Sequence, residues 1–70
     1  MNSAVEIGKR IEQQIKYTGK TAAEIAREMG VNKSVLYNYI RGNSVPGGEM
    51  LVKLCKALDC SYEDILGEIK

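Results

Sequence analysis

Seventy residues make one domain, near the lower limit of what can bury a self-sufficient core. An apolar share of 44% beside 27% charged residues is that of a folded globule and excludes a disordered tail. A net charge of +1 leaves any polyanion-binding role to local charge rather than to the chain as a whole.

Ser3 to Tyr17 reads as a first helix, because Ile7, Ile11 and Ile15 recur every four residues with Val5 flanking them. Ser3 and Glu6 have the spacing of a capping box at its start, and Gly19 is its expected stop. Thr21 and Glu24 repeat the box and open a brief second helix that ends at Gly30. Ala22, Ala23 and Ala26 keep that helix thin, so a neighbour can pack close. Gly30 allows a sharp turn, and Asn32 then caps a third helix running to about Ile40 and closed by Gly42. Two helices joined by a short glycine-containing turn form a helix-turn-helix.

Asn43 to Gly48 (NSVPGG) is the one extended loop. Glu49 to Leu58 follows as a fourth helix with Leu51, Leu54, Cys55 and Leu58 as its buried stripe. Ser61 caps a last helix, SYEDILGEI, whose Glu63 and Asp64 suit its positive N-terminal end. The expected architecture is all-α, with five short helices and residues 1–70 as a single domain.

Around the turn, Ile25, Ala26, Met29, Val31 and Leu36 are placed inward, and the spacing of Tyr39 from Leu36 places it with them. Asn32, Lys33, Ser34, Tyr37, Asn38 and Arg41 then share an outer side without a carboxylate, which suits a nucleic-acid groove. Lys33 can reach guanine or a phosphate, against the plain alternative of a solvated lysine. Asn38 can pair with adenine through two hydrogen bonds, and Tyr37 can pack on a thymine methyl. Both are mediocre helix formers, so propensity does not account for them. Ser34 is also a residue that helix starts select, and Arg41 also complements a helix C-terminus.

Charge supports the same side. Residues 9 to 41 carry seven cations (Lys9, Arg10, Lys16, Lys20, Arg27, Lys33, Arg41) against Glu12, Glu24 and Glu28. Residues 42 to 70 are net acidic. No apolar run nears the ~20 residues of a membrane span, and no export signal is evident at the N-terminus, so a cytoplasmic, membrane-free protein is expected. Without histidine, a metal cluster or a nucleophile–base pair, neither catalysis nor a cofactor is expected. Cys55 and Cys60 read as structural, reduced thiols, one buried and one near a helix end.

From Ile7 to Leu66 the chain resembles the Cro and phage-repressor (XRE) family of lambda-repressor-like domains. The likeness rests on IGKRI (Ile7 to Ile11), Gly19, TAAEIAREMGVNKSVLYNYIRG (Thr21 to Gly42), Pro46 and EMLVKLCKAL (Glu49 to Leu58). The resemblance implies a transcriptional regulator, with repression the usual role, that binds double-stranded DNA as a homodimer on a near-palindromic operator. By position, Lys33, Ser34, Tyr37 and Asn38 would face bases. Thr21, Asn32, Arg41, Asn43 and Ser44 would lie along the phosphates.

The chain departs from the family pattern at Ala22, where glutamine is frequent, at Ile40, where glutamate is common, and in its uncharged 43–48 loop. Ile65, Leu66 and Ile69 are candidates for a dimer surface, with closure of the core favoured for the first two. A protein-interaction module or an antitoxin-like partner on the same scaffold is the competing reading.

Overall fold

The computed structural model describes residues 3–67. Five helices follow in order: α1 (Ala4–Thr18), α2 (Ala22–Met29), α3 (Lys33–Ile40), α4 (Gly48–Leu58) and α5 (Tyr62–Leu66). The described residues contain no strand. α1 packs on α3 and α5, while α2 packs on α3 and α4. Each helix sends one fully buried aliphatic side chain to the centre: Ile11, Ile25, Leu36, Leu54 and Ile65. A core fed by every element explains how so short a chain excludes water.

Local chemistry sets the boundaries. At α1 the Ser3 Oγ accepts the Glu6 N–H at 3.2 Å, but the expected capping box is only half formed. The Glu6 carboxylate takes the Ser3 hydroxyl proton at 3.4 Å rather than the backbone N–H. Gly19 ends α1 at φ 75°, as its position suggests. α2 has the complete box: Thr21 Oγ accepts from the Glu24 N–H, and the Glu24 carboxylate accepts from the Thr21 N–H, each at 3.1 Å.

Those bonds have a titration consequence. The Thr21 backbone and side-chain donors hold the Glu24 carboxyl below its usual range, with Lys20 and Arg27 adding to the effect. A carboxyl depressed in the folded state stabilises above its unfolded pKa and loses that contribution as pH falls through the folded value. Thermal midpoints from pH 7 to 3 should therefore drop on the acid limb. Glu24→Gln should lose less than wild type between about pH 4.5 and 3.

α4 begins at Gly48, one residue before the position the sequence suggests, with Gly47 as a cap that contributes no side-chain bond. Leu54, Cys55 and Leu58 are buried along it, whereas Leu51 is only half-buried. Its end is held by Asp59 at φ 52°, the one non-glycine with positive φ among the described residues. Ser61 and Asp64 form a second complete capping box for α5. The helix closes at Gly67, short of the expected span to residue 69, whose last two positions lie outside the described residues.

Candidate nucleic-acid interface

α3 is buried on one side and exposed on the other. Leu36 is 0% exposed and Tyr39 6%, so the inward placement of Tyr39 holds. Burial pushes its phenol above the usual range. Lys33, Ser34, Asn38 and Arg41 are exposed, and Tyr37 is 40% exposed. No residue of α3 is acidic. The Arg41 guanidinium lies 5.9 Å from the Tyr37 ring centre, within cation–π range. That contact spans one helical turn and joins two of the expected ligand-facing residues into one surface.

The expected backbone-facing residues are placed less uniformly. Asn32 caps α3 by accepting the Ser34 N–H on Oδ1 at 2.9 Å, which leaves its side-chain amide protons free to donate. Asn43 donates its backbone N–H to Asn38 O at 2.9 Å and so is fixed to the end of α3, leaving only its exposed side chain for a ligand. Ser44 is exposed in the loop. Thr21 already gives its hydroxyl proton to the Glu24 carboxylate at 3.2 Å, so that anion sits beside a hydroxyl expected to meet a phosphate. Lys20 is likewise committed, to Glu28 at 2.8 Å. It forms the single ion pair among the described residues.

Two glycines place this surface in ways the sequence reading did not anticipate. A Cβ on Gly8 of α1 would collide with the carbonyl oxygen of Tyr39 and lie 2.5 Å from that of Ile40. α1 can therefore lie against the carbonyl end of α3 only with glycine at that crossing. Gly42, at φ 80°, ends α3 with its own would-be Cβ 2.9 Å from Val5 Cα. α1 thus meets the end of α3 at two backbone contacts. The signal available for Gly8 was a helix-interior glycine, whose cost of about 1 kcal/mol usually implies a packing reason.

The dimer candidates separate. Ile65 is 0% exposed and is the α5 member of the central core, which removes it from any surface a second chain can touch. Leu66 is half-buried, and Ile69 lies outside the described residues. Cys55 is buried and Cys60 half-buried, both as free thiols. Among the described residues, no group of three or more His, Cys, Asp or Glu could hold a metal ion. No helix there is long and apolar enough to cross a membrane.

A family model described as helix-turn-helix matches residues 11–65. The antitoxin PezA of Streptococcus pneumoniae serotype 4 is 36% identical over 64 residues, 91% of this chain and 40% of PezA. The cryptic phage CTXphi transcriptional repressor RstR of Vibrio cholerae serotype O1 is 33% identical over 63 residues, 90% of this chain and 56% of RstR. This chain therefore spans about half the length of the curated relatives it matches.

Among solved structures, the P22 c2 repressor in complex with synthetic operator 9T superposes with a TM-score of 0.80 at 30% identity, over 89% of this chain and 96% of that one. The clp gene regulator ClgR of C. glutamicum gives 0.81 at 27% identity, over 90% and 82% of the two chains. The restriction-modification controller protein C.AhdI of Aeromonas hydrophila gives 0.83 at 22% identity, over 90% and 96%, a likeness of fold.

Proposed function

This chain belongs to the helix-turn-helix family, and from that membership we propose that it is a sequence-specific double-stranded DNA-binding transcriptional regulator, acting as a repressor. The observation that carries the proposal is the outer face of α3: Lys33, Ser34, Tyr37 and Asn38 exposed on a helix that contains no acid. A helix anchored by Leu36 and Tyr39 can enter the major groove without losing its hold on the core. Lys33, Ser34, Tyr37 and Asn38 meet base edges, while Asn32, Arg41, Asn43 and Ser44 lie along the phosphates. Thr21 reaches a phosphate only by exchanging its bond to Glu24.

One recognition helix spans only a few base pairs, so the reading includes a homodimer with half-sites about 34–36 Å apart. With Ile65 in the core, Val52 and Tyr62 are exposed apolar side chains near the α4–α5 corner for that contact, and half-buried Leu66 follows on α5. Ile69 joins them by sequence position. A chain that stays monomeric at high micromolar concentration, with and without operator, removes the dimer from the reading.

Selection from random duplex DNA tests the whole proposal, and an enriched, near-palindromic motif is the expected result. Binding to it should weaken with salt at about −0.9 in the log–log slope per phosphate contact. With Lys20 paired and the 43–48 loop uncharged, the slope per subunit should be shallow.

The similarity to an antitoxin favours one second reading, in which the same scaffold binds a protein partner. Selection without an enriched motif, together with unchanged binding by Asn38→Ala, would favour that reading.

A further inference from the structure

We propose that Cys55 and Cys60 are an oxidisable dithiol that closes an intramolecular disulfide by exchange with a low-molecular-weight disulfide. The geometry comes from the end of α4. Cys60 N–H bonds Cys55 O at 3.1 Å and Asp59 N–H bonds Lys56 O at 3.4 Å, with Asp59 in the left-handed region. This pair of bonds defines a Schellman motif, which frequently brings together the side chains of the two residues joined by the outer bond. In most proteins that contact is apolar. Here both partners are thiols.

The two cysteines open on one groove of about 450 Å³, lined also by Val52, Lys56 and Tyr62, which admits a small reagent. Cys60 is the more exposed and Cys55 lies buried behind it. Burial, then the neighbouring Cys55, Asp64 and Asp59, push the Cys60 thiol up to about 12, and burial also raises Cys55. Thiols that keep their protons attack slowly, yet they are poor leaving groups once joined. The bridge therefore forms slowly and resists reduction.

The step balances without a further oxidant. Cys60 loses its proton and attacks one sulfur of the reagent disulfide, expelling one thiol and leaving a mixed disulfide on Cys60. Cys55 then loses its proton and attacks the Cys60 sulfur, expelling the second thiol. Two protein thiols are oxidised and one reagent disulfide is reduced to two thiols. The product ties the last turn of α4 to the residue just before the Ser61 cap of α5.

The test uses the native chain, bis(2-hydroxyethyl) disulfide and intact mass, so its result is independent of any DNA activity. The expected product is a monomer lighter by about 2 Da, the mass of two hydrogens. Trypsin cuts after Lys53 and Lys56, so a non-reducing digest should show peptide 54–56 joined to 57–70. Cys55→Ser should retain the mixed disulfide on Cys60, because the resolving thiol is gone. A persistent mixed disulfide on the wild-type chain, or a disulfide-linked pair of chains, overturns the proposal. So does a native chain that still carries two free thiols once exposure has been prolonged until no further reaction occurs, although the urea-unfolded chain closes the bridge in the same reagent.

Discussion

Gly8→Ala is expected to lower stability by about 3 kcal/mol or more, the upper end of overpacking costs. The reason is that the added methyl meets backbone. Its nearest neighbours are the carbonyl oxygens of Tyr39 and Ile40 and the carbonyl carbon of Ile40, and no rotamer change can move them aside. α1 would have to withdraw from the end of α3, loosening the contacts of Ile7 and Ile11 with the core. A domain of this size has only about 4–10 kcal/mol in total, so the loss is a large fraction.

The control is Gly48→Ala at the start of α4, where a Cβ meets nothing within 4 Å. That exchange should stabilise by about 0.4–1 kcal/mol, through the unfolded chain. Urea midpoints of the two variants should therefore move in opposite directions. If both rise, helix propensity outweighs the crossing, and α1 is not held against α3 as described.

The contrast between these glycines shows what the sequence carries. Periodicity is a property of one helix, and it located all five helices, the isoleucine stripe of α1 and the inward turn of Tyr39. Caps are also local, so Thr21, Asn32 and Ser61 were legible as helix starts. The features that spacing leaves open depend on two elements at once. Gly8 is an unfavourable helix residue until α3 is laid across it. Ile65 closes the core, the reading favoured for it from sequence, and the packing of α1 on α5 is what buries it completely.

The candidate interface divides in the same manner. Exposure of Lys33, Ser34 and Asn38 follows from the register of α3 alone. The Arg41–Tyr37 stack depends on side-chain conformations that spacing permits without requiring. The Thr21 hydroxyl was legible both as half of a capping box and as a phosphate donor. Only its bond to Glu24 shows which use the free protein makes of it. Asp59 is similar, because a left-handed aspartate is uncommon and spacing alone does not mark it as the residue that closes α4.

On the proposed reading, Asn38→Ala should cut affinity for the selected operator by about 10- to 100-fold per subunit, the worth of one bidentate base contact. In a dimer the loss occurs in both half-sites, so the square of that factor sets the outer limit. Asn38 is exposed on α3, and its backbone oxygen accepts from Asn43 N–H, so the side chain alone is removed and the helix end stays closed. Binding to random duplex should hardly change, since that binding rests on phosphates rather than bases.

Arg41→Ala supplies the opposite pattern. Losing one phosphate contact weakens operator and random DNA alike and makes the salt slope shallower by about 0.9 per subunit. Titrations of both variants against both DNAs at several salt concentrations separate the two roles. Equal losses on operator and random DNA for Asn38→Ala would move that residue from the bases to the backbone. The specificity of α3 would then rest on Lys33, Ser34 and Tyr37.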